Sequence, residues 1–384
     1  MTDNAKYSLQ PFLPAPLSDF EDRATRKFQG IPSVARLASG RLFVVYYACS
    51  VAHEGPGNYA VLATSNDNGL SWREIQVVSP GTARPQERAF DPEIWVAPDG
   101  ALWWFWTQAH SEKSWDVFDG RAGVWAARCA NPDCDFPVWE TPRRLGEGVM
   151  MNKPAVLADG TWALPVSLWN FPPFNERIPE EFKDFRRPNL LLSHDGGATF
   201  EWLPGPEVPA AMTNCDEHMV VERKDGSLWM LIRTSCGISG SVSEDGGRHW
   251  GPVEPLPYGS VVSRFNLTRL KSGRLLLVYH WSMTLLPGDS YRYTVNSDEI
   301  RCNLCAWLSD DDGRTWHGRL MIDERHVVSY PSVAEGDDGY IYVVYDRDRC
   351  RIGQVMLSRF TEEDIERGDF VHPGSFRSIT VSSF

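Results

Sequence analysis

The 384-residue sequence predicts an all-β chain, a single six-bladed β-propeller spanning residues 1–384, on two interleaved repeats and a composition to match. A hairpin signal, a glycine followed by an apolar strand-like run, recurs six times. Its glycines are Gly40 (SGRLFVVY), Gly100 (DGALWWFW), Gly160 (DGTWALPV), Gly226 (DGSLWMLI), Gly273 (SGRLLLVY) and Gly339 (DGYIYVVY). Asp-Gly and Ser-Gly are tight-turn pairs because glycine takes φ > 0 without steric cost. The intervals of 60, 60, 66, 47 and 66 residues suit one blade each, since a four-stranded sheet with its turns needs roughly 40–50 residues or a little more. The chain also holds 16 Trp, 31 Gly and 27 Pro. Many short strands need that mixture of large packing aromatics and turn formers.

The second repeat is Ser-x-Asp-x-Gly-x-x-aromatic. It occurs at Ser65-Asp67-Gly69-Trp72, Ser193-Asp195-Gly197-Phe200, Ser243-Asp245-Gly247-Trp250 and Ser309-Asp311-Gly313-Trp316. The aspartate caps the turn's own backbone, the glycine supplies the left-handed residue and the aromatic packs back on the sheet. These boxes are turns and carry no chemistry. Cys129 to Trp139 falls where a degraded fifth copy belongs, and Arg377 to Phe384 (RSITVSSF) reads as a strand that closes the last blade together with one from the N-terminus.

The formal net charge of −13 disfavours nucleic acid as a partner, which calls for a basic face. No apolar run reaches membrane-spanning length. Met1 to Leu13 lacks a basic segment leading into an apolar one, so no signal peptide is read and a cytoplasmic location is expected. Eight cysteines are then free thiols by default. Cys302 and Cys305 form a C-x-x-C without a second matching pair, so neither a metal site nor a cofactor is expected.

Residues just before each hairpin glycine begin the inner strand of a blade, next to the central channel. Aligned on the glycines they form a polar ring: Gln29-Gly30-Ile31-Pro32, Asp91-Pro92-Glu93, Asn152-Lys153-Pro154, Asp216-Glu217-His218, Ser263-Arg264-Phe265-Asn266 and Ser329-Tyr330-Pro331. The ends of the second strands add Trp169-Asn170, Arg233, His280 and Asp346-Arg347 at the same rim. Any one of these is a common turn residue. Six aligned sets are too polar for a packed core and suit a concave site.

The Ser-x-Asp-x-Gly boxes interleaved with six hairpins resemble the Asp-box propellers of the sialidases (neuraminidases), from about Phe28 to Arg347. The resemblance implies a retaining glycosidase with a tyrosine nucleophile, a glutamate as its base, an acid/base carboxylate and three arginines on the substrate carboxylate. Tyr330 in SYPSV resembles the nucleophile and Glu217 its base. Arg233, at the end of the next strand, and Arg301, ahead of the fourth box, resemble the second and third arginines. Two positions depart from the family. Phe28-Gln29-Gly30-Ile31-Pro32 carries glycine where the first arginine stands, which implies open space and an incomplete trio. His53-Glu54 stands where the family has its acid/base aspartate, so the resemblance leaves that role to Glu54, His53 or Asp91, with Glu54 as the catalytic candidate. The resemblance therefore implies an acidic-sugar hydrolase whose substrate is a uronate or a related ketosidic acid. Asp91, His53, Asn152, Lys153, Arg264, His218 and His280 are the further substrate-binding candidates. Two alternatives compete with hydrolysis: a uronate lyase using Arg233, Arg264, Tyr330, His218 and His280, and a non-catalytic carbohydrate-binding propeller.

Overall fold

A computed structural model describes residues 10–17, 23–110, 117–118, 120–281 and 301–384. Its strands form six separate antiparallel sheets, each dominated by one contiguous stretch of chain. From the inner strand outward, blade one is Phe28–Arg36, Leu42–Cys49, Tyr59–Ser65 and Arg73–Val78. Blade two is Glu87–Val96, Leu102–His110, Gly123–Cys129 and Arg143–Gly146. In blade three the inner strand is broken into Val149–Met150 and Ala155–Val156, followed by Trp162–Ser167, Pro188–Ser193 and Glu201–Leu203. Blade four is Asp216–Glu222, Leu228–Thr234, Gly237–Ser243 and Glu254–Pro255; blade five is Asn266–Arg269, Leu275–His280, Leu304–Ser309 and His317–Asp323. Blade six is Val328–Glu335, Ile341–Arg347, Gln354–Phe360 and Phe376–Ser382. Inner strands touch in ring order, and blade one meets blade six. The architecture is a six-bladed β-propeller.

Closure differs from the expectation. The C-terminal segment does pair, as the outer strand of blade six, but the N-terminal strand Ala15–Pro16 adds to the outer edge of blade one instead. Blade six already has four strands after Val328, so it has no edge for the N-terminus to fill. Polar contacts close the ring: Gln29 N–H donates to Arg349 O at 3.0 Å, and Ile31 N–H donates to Asp346 Oδ2 at 2.7 Å. Of the segment Met1–Leu13, residues 1–9 lie outside the described residues.

All four boxes repeat one hydrogen-bond pattern. The serine hydroxyl donates to the aspartate at 2.7–2.9 Å and accepts from the glycine N–H at 2.8–2.9 Å. Each box joins the third strand to the fourth, and so lies at the same end as the inner hairpin. The Lys224 N–H of the blade-four hairpin donates to Asp312 of the neighbouring box at 2.8 Å. Both features therefore lie opposite the inner-strand starts. Cys129–Trp139 joins the third and fourth strands of blade two, as the degraded copy should. In blade six a short helix, Glu362–Arg367, fills that position, capped reciprocally by Thr361 and Asp364.

Large aromatics pack between blades. Trp104, Trp106 and Trp125 of blade two share one buried cluster with Phe43, Val45 and Leu62 of blade one. Trp162 of blade three meets Trp95 and Trp103 of blade two edge-on at 4.8 and 5.6 Å. Truncating a buried tryptophan of this kind costs about 3–5 kcal/mol, so these contacts hold neighbouring blades in fixed relation around the channel. Among the described residues no helix is long and apolar enough to cross a membrane.

Candidate active site

The inner strands begin with matching irregularities. Register shifts fall between Gly30 and Ser33, Phe90 and Glu93, Asp216 and Met219, and Ser329 and Ser332. The first bulged residue in each case has positive φ: Ile31 at 54°, Asp91 at 46°, Glu217 at 39° and Tyr330 at 58°. Three of the bulges are X-Pro pairs, where the missing proline N–H is no loss to the ladder. A bulge re-aims the side chain it carries, and such strained positions gather at functional sites. In blade three the same place is the gap around Asn152-Lys153-Pro154.

Tyr330 and Glu217 therefore meet across the channel from blades six and four. The Tyr330 hydroxyl donates a short hydrogen bond to Glu217 Oε1. Arg233 Nη1 donates to the same carboxylate oxygen at 2.6 Å and to Tyr330 Oη at 2.8 Å. The guanidinium carbons of Arg349, Arg264 and Arg301 lie 4.2, 5.0 and 5.5 Å from the tyrosine ring centroid. Burial, reinforced by Glu217, holds the phenol well above its ordinary pKa despite these cations. The ground state is thus a neutral phenol hydrogen-bonded to a glutamate that can take its proton.

A second acidic group faces this pair. Asp91 is buried, its Oδ1 has no hydrogen-bond partner, and burial together with Glu54 and Glu217 raises its pKa well above the usual carboxylate range. Glu54 belongs to the loop between the second and third strands of blade one, is about two-fifths exposed, and lies 3.9 Å from Arg349 Nη1. Arg88 is fully buried, with its guanidinium 3.8 Å from the Phe90 ring centroid, and it feels Glu54, Tyr47 and Asp91.

Six other expected residues turn their side chains elsewhere. His53 is exposed and its ring contacts the Glu54 carbonyl at 3.0 Å. Asn152 donates to the Glu217 and His218 carbonyls at 2.9 and 3.1 Å, which supports the bulge of blade four from below. Lys153 reaches across the channel to the carbonyls of Val34, at 2.7 Å, and Val333; burial brings its pKa down to about 8. His218 and His280 each donate to a backbone carbonyl, of Asn189 at 2.6 Å and Cys302 at 2.9 Å. Burial takes both to about 4, so both rings are neutral. Arg264 lies beneath the tyrosine, paired with Glu93 at 2.9 Å and donating to the carbonyls of Met151, Pro32 and Tyr330 at 2.7, 2.8 and 3.1 Å.

The open space expected at Gly30 is absent. A Cβ on Gly30 would lie 2.7 Å from Arg349 Cγ and 3.0 Å from Arg349 Cδ. Arg349 crosses the glycine from blade six, with Nε on Asp346 Oδ2 and Nη2 on Ser329 Oγ, each at 2.9 Å. Burial opposes its charge, but Asp346, and beyond it Glu54, hold the guanidinium firmly protonated.

The model of the BNR repeat-like domain matches residues 40–343. The chain belongs to that family. No curated protein matches this BNR repeat-like chain in sequence. Solved structures share its fold. The Hadza microbial sialidase is 17% identical with a TM-score of 0.66, over 88% of this chain and 66% of that one. The intramolecular trans-sialidase of Ruminococcus gnavus is 13% identical with a TM-score of 0.62, over 91% of this chain and 97% of that one. The Trypanosoma rangeli sialidase is 14% identical with a TM-score of 0.59, over 87% and 57%. The BNR chain thus spans just under two thirds of the Hadza enzyme and little more than half of the T. rangeli one.

Within the BNR propeller, Arg349 and Arg88 lie outside the positions that the six hairpins bring into register, and Tyr47 lies inside the apolar run of one of them. Arg349 lies in the loop after the second strand of blade six, which has no counterpart in the repeat. Arg88 stands three residues ahead of Asp91, outside the aligned window, though an arginine inside the apolar run ERAFDPEIWV was a signal. Tyr47 reads as a core aromatic in LFVVYYAC, and only its unpartnered buried hydroxyl marks it out.

Proposed function

We propose that this protein is a sialidase-like glycoside hydrolase acting on a sugar acid, with Tyr330 as nucleophile. The hydrogen-bonded Tyr330–Glu217–Arg233 cluster carries the reading. In the first step Tyr330 Oη bonds to the anomeric carbon as its proton passes to Glu217. The bond from that carbon to the leaving oxygen breaks with its electron pair, and protonated Glu54 gives that oxygen its proton. In the second step water adds to the anomeric carbon, its proton goes to Glu54, and the departing phenolate recovers its own from Glu217. Glu54 suits the task because it stands at the wet rim where the leaving group departs. A neutral phenol also approaches an anionic substrate without the repulsion a carboxylate would meet.

Arg233 and Arg301 supply the anion grip. The guanidinium of Arg233 touches the nucleophile itself, so the carboxylate it binds stands next to the anomeric carbon. That favours a ketosidic acid over a uronate, whose carboxylate lies across the ring. The lyase alternative is weakened because His218 and His280 are buried and donate to backbone carbonyls. The test is turnover of a panel of acidic glycosides by Tyr330→Phe, Glu217→Gln and the double variant. Each single change should cut kcat by at least about two orders of magnitude, and the double little more, as groups acting as a unit are non-additive. Full activity in Tyr330→Phe rejects the mechanism.

A further inference from the structure

We propose that Arg349 is a specificity-determining residue, the third guanidinium of the anion grip, delivered from blade six into the space that Gly30 leaves in blade one. The inference deepens the sugar-acid reading and rests on it. Three observations support it. First, Arg349 lies closer to the Tyr330 ring than Arg301 or Arg264 does, at 4.2 Å against 5.5 and 5.0 Å. Secondly, its side chain is fixed: Asp346 and Ser329 hold Nε and Nη2, while Nη1 stands 3.9 Å from Glu54 Oε1, beyond hydrogen-bond reach. A guanidinium anchored on one edge presents its other edge preorganised, so little entropy is lost when it binds a carboxylate. Thirdly, the stem of Arg349 occupies the place of a Cβ at position 30. Residue 30 and residue 349 therefore exclude one another: an arginine fits at one of them only if the other is small.

Asp346 makes the exchange possible. It is completely buried, and it accepts from the Ile31 N–H, from Ser329 and from Arg349. One carboxylate thus sets both the bulge of blade one and the direction of the arginine that crosses it. Arg264 does not compete for the role, because Glu93 and backbone carbonyls occupy it from below.

The exclusion gives a test by transplantation. Binding of 2-deoxy-2,3-didehydro-N-acetylneuraminic acid and of its methyl ester is measured by calorimetry on the full chain. The variants are Arg349→Ala, Arg349→Lys, Gly30→Arg, the pair Gly30→Arg/Arg349→Ala, and Arg233→Lys, each shown by its melting curve to be folded at the assay temperature. Wild type should prefer the acid. Arg349→Ala should weaken the acid roughly 10- to 100-fold, the value of a charge-assisted hydrogen bond, and leave the ester within about threefold. Arg349→Lys should fold like wild type and bind the acid at an intermediate strength. Gly30→Arg alone should lose binding, and the pair should regain preference for the acid. If Arg233→Lys loses that preference while Arg349→Ala and Arg349→Lys keep it, Arg349 is no part of the grip and the sugar-acid reading stands. If wild type does not distinguish acid from ester, that reading falls and this inference with it.

Discussion

Arg264 separates a group that supports the site from one that binds substrate. Its guanidinium and the Glu93 carboxylate are both about 1% exposed and 2.9 Å apart. Nη1 and Nη2 reach backbone carbonyls of blades one, three and six, so a blade-five side chain ties four other blades at the axis once Glu93 of blade two is counted. Replacing Arg264 by methionine leaves Glu93 buried without its cation. Breaking one side of such a pair costs about 3–5 kcal/mol. The bare carbonyls of Met151, Pro32 and Tyr330 push the cost toward the upper end, since each buried acceptor left alone costs about 1–3 kcal/mol and not all of it relaxes away. With a urea slope of roughly 3 kcal/mol/M, the midpoint should fall by about 1–1.7 M. The double variant Arg264→Met/Glu93→Gln should be no less stable than Arg264→Met alone, because the second change removes the stranded charge. A substrate-binding arginine is told apart by KM, which its loss raises. If Arg264→Met unfolds within about 0.3 M of wild type, the supporting role assigned to it is wrong.

Two further predictions follow from the carboxylates. With an unactivated sugar leaving group Glu54→Gln should lose about 100-fold or more in kcat, but less than about tenfold with a nitrophenyl leaving group, which departs without a proton. Asp91→Asn should lose equally on both; a leaving-group dependence in Asp91→Asn and none in Glu54→Gln exchanges their roles. Asp216, raised by burial from 3.8 to about 7, is protonated in the folded chain at pH values where it ionises in the unfolded one. Between about pH 4 and 7 the native state then binds more protons, so stability falls as pH rises, by on the order of 4 kcal/mol at most. Asp216→Asn, which keeps an acceptor for Ser167, should flatten that decline in urea midpoints taken from pH 5 to 8; parallel curves for the two proteins contradict the assignment.

The turns determined the blade count, and the turns are local. Glycine at φ > 0 and an aspartate bonded to the backbone four residues on act within a few residues of chain, so six hairpins and four boxes were legible without a structure. Inner-strand alignment followed from the same repeat, and it brought Tyr330, Glu217 and Asp91 together from three blades. It did not say which aligned polar groups face the site. Asn152, Lys153, Arg264 and His218 occupy matching positions, yet their side chains bond to carbonyls and to Glu93, because a bulge or a broken strand turns each one by an amount the repeat does not encode. Arg349 was invisible for a different reason. It comes from a loop outside the repeat, and its meeting with Gly30 joins residues more than 300 positions apart. The sequence by itself determined where the strands turn, whereas the direction of each side chain at the axis was decided only when the blades packed and their buried charges had to find partners.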